Sequence, residues 1–292
     1  MIAVNWGTTN FRAYRIRPGG AIVDRRESGR GILTVDVGEF ASVLLDQVGD
    51  WLASGESTVL LAGMVGSRQG WKEAAYVPCP GGIDELIEAT VRVEFVKASV
   101  RLVPGMIFTD ENSVPDVMRG EETEIMGVLD SCQEDDLICL PGTHSKWAQI
   151  RDGKIASFAT VMTGEVYAAL KEHTILSRLM TEGAVLDEAF ERGLERSSDS
   201  GGLLHHLFGV RSLVLASRMK NEEASSYLSG LLIGHEIRSR VLEHQHVLLV
   251  GAAQLCRLYE KAILLCNGSC TIAREDAAAR GLAAIGERLS WI

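Results

Sequence analysis

The sequence predicts an α/β fold built from two related halves, because one hairpin pattern occurs twice. Residues 2–16 contain an apolar run, a glycine with small hydroxyl residues at 7–9, and a second run with alternating side chains. This is the pattern of two strands joined by a tight turn. Residues 137–150 repeat it around positions 142–143. Two similar hairpins, about 135 residues apart, indicate two related halves that face each other.

The two predicted turns have the composition of phosphate-binding turns. Gly7, Thr8 and Thr9 in the first turn, and Gly142 and Thr143 in the second, are small or hydroxyl-bearing residues. Such a turn offers backbone N–H groups and hydroxyls to one anion without a bulky side chain in the way. An ordinary hairpin is the alternative for either turn alone, and the repetition favours phosphate binding.

A third segment adds a strand and a helix to the second half. Residues 246–250 form an apolar run, Gly251 and Ala252 follow, and an amphipathic helical pattern extends to about Leu265. Small residues at a strand-to-helix junction let a flat ring lie close to the backbone. Gly251 and Ala252 are therefore candidate ligand contacts.

The elements predicted around these segments give the first half a definite order. Three strands over 2–28, a helix over 38–53 and a strand over 58–62 form a β-β-β-α-β arrangement. The further predicted elements are a helix over 82–89, a strand over 101–103, a helix over 115–129, a mostly helical region over 164–243 interrupted at 197–202, and a final helix over 275–289.

Composition and charge narrow the class of protein. A hydrophobic content of 46% and a charged content of 23% are those of a globular protein. A net charge of −10 argues against a nucleic-acid partner, which requires a basic patch. Neither a transmembrane run nor a signal peptide is expected, and the six cysteines lack a C-x-x-C pair. A cytoplasmic, reduced protein without a membrane partner is predicted, and homo-oligomer formation stays open.

Six short segments carry more specific motifs. They are residues 62–67, 70–72, 117–123, 141–147, 161–165 and 228–234. Together they resemble the 2-dehydro-3-deoxygalactonokinase family, which belongs to the actin-like ATPase superfamily that includes hexokinase. The Met-Arg-Gly-Glu-Glu run and the Pro-Gly-Thr-His-x-Lys-Trp run are the specific ones. The resemblance covers essentially the whole chain, and the β-β-β-α-β order is that of the ribonuclease-H-like core of the superfamily.

This resemblance implies two ribonuclease-H-like domains that face each other across a nucleotide cleft. Residues 1–135 would form the sugar-acid side, residues 136–274 the nucleotide-binding domain, and the helix in 275–292 would pack on the first domain. The implied reaction transfers the γ-phosphoryl group of ATP, with Mg²⁺, to the 6-hydroxyl of 2-dehydro-3-deoxy-D-galactonate. The two turns would then bind phosphates, and Gly251 and Ala252 would contact the adenine.

The resemblance also implies a general base near the second hairpin. In hexokinase-like relatives the catalytic acid opens the helix before that hairpin, which makes Glu121, and then Glu122, the candidates. Carboxylates in a first helical turn also stabilise the helix dipole, so this structural alternative stays open. Glu165 is a further candidate for the base or for substrate binding. Lys146 is a candidate catalytic residue that would reach a phosphate or the substrate carboxylate.

The sugar-acid substrate requires a cation or an anion-binding turn, together with partners for its hydroxyls. The loop over 63–72 supplies Gly66, Ser67, Trp71 and Lys72, and Arg119 is a second candidate for the carboxylate. Trp71 either stacks on an apolar sugar face or fills the domain core.

Three further positions are open to two interpretations. Arg12 is either a phosphate ligand or a solvated strand residue, and His144 either donates to a ligand or shapes its turn. Asn5 stands where the superfamily normally has Asp, which helps to hold Mg²⁺ through water. Because a hard dication prefers carboxylate and water oxygens, Asn5 is expected to bind it more weakly. This substitution keeps open a rival function, a non-catalytic nucleotide- or sugar-acid-binding regulatory protein on the same fold.

Overall fold

The computed structural model describes residues 1–132, 136–181, 183, 185–241 and 245–292. The strands of this part of the chain are β1 (Ile2–Trp6), β2 (Phe11–Ile16), β3 (Ile22–Ser28), β4 (Thr58–Ala62), β5 (Val77–Pro78), β6 (Val91–Val93), β7 (Ser99–Leu102), β8 (Met106–Thr109), β9 (Pro115–Met118), β10 (Leu137–Leu140), β11 (Ser145–Arg151), β12 (Lys154–Val161), β13 (His246–Leu249) and β14 (Ser269–Ile272). Its α-helices are α1 (Phe40–Ala53), α2 (Ile83–Glu88), α3 (Glu121–Met126), α4 (Thr163–His173), α5 (Asp187–Arg196), α6 (Gly202–Leu215), α7 (Asn221–Arg240), α8 (Ala253–Leu265) and α9 (Ala277–Arg288).

The chain divides into two compact units. Unit 1 comprises Met1–Asp135, Ala148–Ala159 and Ala273–Ile292, and unit 2 comprises Asp136–Trp147 and Thr160–Ile272. The sequence predicted a second domain that is continuous over 136–274, whereas unit 2 leaves out Ala148–Ala159. Residues 133–135, at the end of the predicted first domain, and 182, 184, 242 and 243, in the predicted helical region, lie outside the described residues. The assignment of separate functions to two domains stays a prediction.

Unit 1 is organised around a six-stranded sheet in the order β3-β2-β1-β4-β7-β6. Strands β1 and β2 pair antiparallel, while β1 and β4 pair parallel, so the predicted β-β-β-α-β order is observed. Alternate residues point to opposite faces of a strand. Val4 and Trp6 therefore join Val43 and Trp51 of α1 in one apolar core.

Helix α9 packs against strands β1 and β4 of this sheet and also against helix α3. A Cβ atom at Gly281 would lie 1.8 Å from the backbone oxygen of Thr123, and one at Gly127 would lie 2.0 Å from that of Ala277. These two glycines therefore permit the close crossing of the helices. The predicted final helix is present as α9, and it belongs to unit 1.

The predicted helix over 115–129 is wrong in its first part. Residues Pro115–Met118 form β9, which pairs antiparallel with β8 in a three-stranded sheet with β5. Gly120 has a φ of +112°, which a residue inside a helix cannot adopt, and α3 begins only after it. The short strands β5, β6, β8 and β14 were also missed by the sequence prediction.

Unit 2 contains the strands β10 and β13, which pair parallel, and β14, which pairs parallel with β13. Helices α5 and α7 cross closely, because a Cβ atom at Gly193 would lie 2.0 Å from the oxygen of Tyr227, and one at Gly230 would lie 1.9 Å from that of Phe190. The glycines of the 228–234 motif thus have a packing role. No helix in the described ranges has the length and apolar content to cross a membrane.

Candidate functional site

The first glycine–threonine turn is held by backbone hydrogen bonds. The N–H of Gly7 donates to the oxygen of Asn10 at 2.9 Å. The three backbone oxygens of residues 7–9 accept from the N–H groups of Ile32, Leu33 and Gly31, respectively, at 3.0–3.2 Å. Thr8 and Thr9 are exposed, so this backing leaves them accessible to a ligand.

Asn5 lies beside this turn, at the carboxyl end of β1. It is opposite Arg12 of β2 and beside Ala62 of β4 in the sheet. A Cβ atom at Gly63 would lie 3.0 Å from its Oδ1 atom, and one at Gly120 would lie 4.0 Å from it. Both glycines have positive φ, so the backbone passes Asn5 without side chains. Arg12 is exposed and donates to Glu27 Oε1 at 2.8 Å, which leaves its two interpretations open.

Helix α3 places three carboxylates next to Asn5 and Gly120. Glu122 is fully buried, and its two oxygens accept from the Gly120 N–H at 2.7 Å and from the Thr123 hydroxyl at 3.0 Å. Glu121 is half-buried and accepts from the Arg119 N–H at 3.0 Å. Glu124 is half-buried, and its Oε1 atom accepts from Asn5 Nδ2 at 3.5 Å.

Burial and mutual repulsion perturb two of these carboxylates. Burial, and then the charge of Glu121, raise the pKa of Glu122 to about 8. The same two causes, in the same order, raise the pKa of Glu124 to about 7, against the opposing effects of Arg12 and Asn5. Groups with such shifts are over-represented in functional sites, although structural networks produce them too. The sequence missed Glu124, although its spacing of three residues from Glu121 places it on a neighbouring part of the same helix face.

Arg119 is buried, and part of its guanidinium lacks a protein partner. Its Nη2 atom donates to the oxygen of Ala74 at 2.8 Å, and its guanidinium lies 4.4 Å from the ring centre of Tyr76. In the part of the chain that the structure describes, its Nε and Nη1 atoms have no hydrogen-bond partner, and neither has the buried hydroxyl of Ser67. A Cβ atom at Gly66 would lie 3.1 Å from Arg119 Nη1, so the loop and Arg119 adjoin.

Trp71 and Lys72, the other two predicted residues of this loop, contact residues of unit 1 other than Arg119 and Ser67. Trp71 stacks on Phe40 and meets Phe95 edge-on, with ring centres at 6.3 and 5.9 Å, and it packs against the apolar core of unit 1. This placement favours the core-filling alternative for Trp71. Lys72 is exposed and donates to the oxygen of Arg92 at 2.9 Å, so the structure does not bring it to Arg119.

The second glycine–threonine turn lies in unit 2, where helix α4 packs against it. A Cβ atom at Gly164 would lie 2.5 Å from the oxygen of Gly142, and the N–H of Glu165 donates to the oxygen of Thr143 at 3.0 Å. The side chains of His144 and Glu165 hydrogen-bond to each other at the surface. Gly142 has no atom within 4 Å of an added Cβ, so the turn is accessible.

A buried carboxylate lies beneath this turn. Glu236 of α7 accepts from Trp147 Nε1 at 2.7 Å and from the Tyr259 hydroxyl at 2.6 Å. The Tyr259 hydroxyl is also 2.9 Å from the Ser145 hydroxyl, and Thr163 is a further hydrogen-bond partner of Glu236. Burial raises the pKa of Glu236, while these hydrogen bonds oppose the shift. The sequence did not indicate Glu236, because a single Glu inside a helix usually faces solvent.

Two more predicted residues of unit 2 lie near the same turn. Lys146 is buried, and its Nζ atom donates to Thr160 at 2.7 Å. Gly251 has a φ of +142°, and a Cβ atom on it would lie 3.6 Å from the oxygen of Pro141. Gly251 and Ala252 are exposed at the start of α8, which leaves them accessible to a ligand. No group of three or more His, Cys, Asp or Glu side chains in the described ranges is arranged to hold a metal ion.

The fold and the two turns define a class of protein. The chain has the α/β fold of actin-like ATPases, with ribonuclease-H-like strand order in unit 1. A solved structure of this fold, component A of the (R)-2-hydroxyglutaryl-CoA dehydratase of Acidaminococcus fermentans, covers 99% of this chain and 98% of its own, with 11% identity and a TM-score of 0.53. The predicted fold class is thereby confirmed.

Comparison with more similar proteins identifies the family. The family model described as 2-keto-3-deoxy-galactonokinase matches residues 5–285. A protein of Rhizobium meliloti (strain 1021), assigned as a 2-dehydro-3-deoxygalactonokinase, is 35% identical over 269 residues, 89% of this chain and 88% of its own. The 2-dehydro-3-deoxygalactonokinase of Escherichia coli (strain K12) is 34% identical over 264 residues, with the same two coverages. This chain therefore belongs to the 2-keto-3-deoxy-galactonokinase family.

A solved structure agrees with this result over the whole chain. It is the crystal structure of a protein from Sinorhizobium meliloti that is also assigned as a 2-dehydro-3-deoxygalactonokinase. It is 33% identical, covers 99% of this chain and 98% of its own, and superimposes with a TM-score of 0.91. The family resemblance predicted from the sequence is confirmed.

Proposed function

We propose that this chain is an ATP-dependent kinase that phosphorylates the 6-hydroxyl of 2-dehydro-3-deoxy-D-galactonate in galactonate breakdown. Membership of the family supports the reaction class and the substrate. The observation that carries the proposal is the pair of unsatisfied donors at Arg119, together with the buried hydroxyl of Ser67. Buried donor atoms without hydrogen-bond partners are costly, and an anionic ligand that accepts from Nε and Nη1 of Arg119 would remove that cost.

In this proposal, Arg119 and Ser67 bind the carboxylate of the sugar acid. A hydrogen bond between charged groups contributes about 1.5–3 kcal/mol, which is sufficient to orient a small acid. Tyr76 and the oxygen of Ala74 hold the guanidinium in place from the protein side. Gly66 has no side chain, so it leaves space next to Arg119. His144, Glu165, Trp71 and Lys72 stay proposed substrate contacts, of which Trp71 and Lys72 have the least support.

Glu121 is the proposed general base for the acceptor hydroxyl. It is half-buried at the start of α3, where its Oε2 atom accepts from the Arg119 N–H. Glu122 is fully buried and bound to Gly120 and Thr123, which favours a role in shaping the start of α3. Glu121 would hold the proton of the hydroxyl while the oxygen attacks the γ-phosphorus.

The two turns and their neighbours are the proposed nucleotide contacts. Thr8, Thr9, Gly142 and Thr143 would donate to the phosphates of ATP, and Gly251 and Ala252 would contact its adenine. Lys146 is a proposed contact to phosphate. Mg²⁺ would neutralise the phosphate charge, and the oxygen donors near Asn5 and Glu124 have the chemistry that it prefers. The six free cysteines support a reducing, cytoplasmic location.

A coupled assay of ATP consumption, with a panel of 2-keto-3-deoxy sugar acids, tests the proposal. Turnover with the galactonate derivative and Mg²⁺ is expected, and turnover with its gluconate epimer decides how strictly one hydroxyl is recognised. ATP-analogue binding without turnover on any acid would favour the rival regulatory function and overturn the kinase proposal.

A substitution at Arg119 tests the carboxylate site. Arg119→Gln should raise the KM for the sugar acid by roughly 10–100-fold, the equivalent of one lost charged hydrogen bond, with little change in the KM for ATP. Arg68→Gln is the matched control, because Arg68 lies in the same loop but is exposed and paired with Glu73. Equal KM values in Arg119→Gln and Arg68→Gln would place the carboxylate elsewhere.

A further inference from the structure

Glu124 differs from the other two acids of α3 in its hydrogen bonding. Glu121 accepts from a backbone N–H, and Glu122 accepts from a backbone N–H and a hydroxyl. Among the described residues, the hydrogen bond of the Glu124 side chain is the 3.5 Å contact with Asn5 Nδ2. Of the three carboxylates, that of Glu124 therefore has the weakest hydrogen bonding to protein groups. Its oxygen lone pairs stay available for a ligand.

The position of Glu124 relates it to the first turn. Its partner, Asn5, lies at the carboxyl end of β1, two residues before Gly7. In the sheet, Asn5 is paired with Arg12 of β2, which follows the same turn. The contact with Asn5 thus holds the Glu124 carboxylate on the side of the sheet where the turn with Thr8 and Thr9 begins.

Phosphoryl transfer from ATP requires a divalent cation bound to the phosphates. Mg²⁺ usually keeps several water ligands and is held through one or two protein carboxylates together with the phosphates. Asn5 itself offers an amide, which carries no charge. Glu124 is the carboxylate that contacts Asn5, and it supplies the negative charge that position 5 lacks.

We propose that Glu124, oriented by Asn5, is the carboxylate that faces the nucleotide-bound Mg²⁺, through water. The proposal rests on the proposed ATP-dependent function, which it deepens. Asn5 is then an orienting residue that donates to Glu124, rather than a weakened metal ligand. The pair acts as one amide and one carboxylate, and exchanging the two groups between the positions keeps the charge at the site unchanged.

The exchange gives a direct test with Mn²⁺, a paramagnetic substitute for Mg²⁺. Binding of Mn²⁺ to the full chain with a non-hydrolysable ATP analogue is measured by electron paramagnetic resonance for four proteins: the original chain, Glu124→Gln, Asn5→Asp and the double variant Asn5→Asp/Glu124→Gln. Glu124→Gln should weaken Mn²⁺ binding by roughly 10–100-fold, the usual effect of losing a group that orients the metal shell. The double variant should recover most of this loss, because the carboxylate returns on the opposite side of the pair.

Control measurements distinguish a failure of this inference from loss of folding and from a chain that does not bind the ATP analogue. Glu88→Gln, on the exposed end of α2, should leave Mn²⁺ binding unchanged. Unfolding midpoints of all variants report whether they are folded, and the charge-conserving double variant tests the idea even where Glu124→Gln is destabilised. Wild-type Mn²⁺ binding in Glu124→Gln, or a double variant no better than Glu124→Gln, would overturn the inference. If the original chain does not bind the ATP analogue at all, the proposed function fails, and the inference fails with it.

Discussion

The two glycine–threonine hairpins share a pattern in sequence, yet the protein holds them in place by different means. The first turn, at residues 7–9, is backed by three backbone hydrogen bonds from residues 31–33. The second turn, at 142–143, has one backbone bond from Glu165, and the strand after it is fixed by side chains that converge on Glu236. One turn depends on backbone geometry and the other on a buried side-chain network.

A buried carboxylate outside each hairpin contacts it, Glu56 for the first and Glu236 for the second, and the partners of these two differ. Glu56 accepts from the amino group of Met1 at 2.8 Å, from Arg15 at 2.7 Å and from Arg17 at 3.0 Å. These ion pairs connect the two strand ends of the first hairpin that lie opposite its turn. Glu236 is bound by neutral donors of Trp147 and Tyr259. The difference teaches that similar hairpin sequences do not imply similar sensitivity to mutation or to pH.

The largest expected effect separates the acids near the two turns. Glu121→Gln should lower kcat by roughly 10²–10⁴-fold, the usual cost of losing a general base. Glu165→Gln should keep kcat within about tenfold, because Glu165 pairs with His144 at the surface and acts at most in binding. Steady-state kinetics with ATP and the sugar acid measures both. Loss of turnover in Glu165→Gln, with an active Glu121→Gln, would move the base to unit 2.

The second expected effect concerns the network under the second turn. Glu236→Leu should lower the free energy of unfolding by about 2–4 kcal/mol, because Trp147 Nε1 and the Tyr259 hydroxyl lose a buried acceptor. Glu236→Gln should cost less, since its oxygen can still accept from Trp147, and its NH₂ group can donate to Tyr259. Denaturant unfolding measures both. Equal losses in the two variants would show that the hydrogen bonds to Trp147 and Tyr259 do not account for the stability that Glu236 contributes.

Much of the fold follows from local patterns in the sequence. The two hairpins, the strand Thr58–Ala62 and the helix that ends at Ala53 were predicted because alternation or helical spacing is strong there. The helix predicted from residue 115 failed where Gly120 adopts positive φ. Short strands such as β8 and β9 gain their stability from each other, and a single segment does not show its partner.

Sequence motifs identified some residues of the candidate site, but the contacts between those residues could not be predicted from the sequence. Arg119 and Ser67 were identified from the loop and motif that contain them, whereas their unsatisfied buried atoms exist only after folding. Glu124 was missed because its importance comes from Asn5, 119 residues away in sequence. Glu236 was missed for the same reason, since Trp147 and Tyr259 reach it from other elements.

The third expected effect compares the glycines that support the two turns. A Cβ atom at Gly31 would lie 2.2 Å from the backbone carbon of Thr9, and one at Gly164 would lie 2.5 Å from the oxygen of Gly142. Alanine at either position forces a backbone shift, which costs about 1–3 kcal/mol. Gly31→Ala should have the larger effect, because it displaces the segment that donates all three hydrogen bonds to the first turn.

Calorimetry with an ATP analogue and thermal unfolding measure this comparison. Both alanine variants should bind the analogue more weakly, with Gly31→Ala the weaker of the two. Gly29→Ala and Gly209→Ala are the matched controls, because an added Cβ meets no atom within 4 Å at either position. A larger loss in Gly164→Ala than in Gly31→Ala would contradict the idea that the first turn depends more on its backbone support.

The smallest expected effect is a difference in the sign of pH dependence. Burial raises the pKa of Glu56, but the amino group of Met1 and the guanidinium groups outweigh it and hold the pKa below its ordinary value of 4.5. Glu56 therefore contributes stability above pH 4.5 that is lost as the pH falls through its lowered pKa. Burial raises the pKa of Glu236 above 4.5, so Glu236 binds a proton more readily in the folded than in the unfolded chain.

For Glu236 the folded state binds more protons than the unfolded state between 4.5 and the raised pKa, and stability falls as the pH rises through that interval. The nearby titratable groups, Tyr259 and Cys139, have raised pKa values and stay neutral there. Unfolding free energies of the original chain, Glu56→Gln and Glu236→Gln are compared from pH 3 to 8. Glu56→Gln should flatten the curve on its acid side, and Glu236→Gln should flatten it above pH 4.5. Each change should amount to roughly 1.4 kcal/mol per unit of pKa difference that the substitution removes. If both variants flattened the curve on the same side, the two carboxylates would have pKa shifts in the same direction. The contrast between the ion-paired Glu56 and the neutral partners of Glu236 would then be wrong.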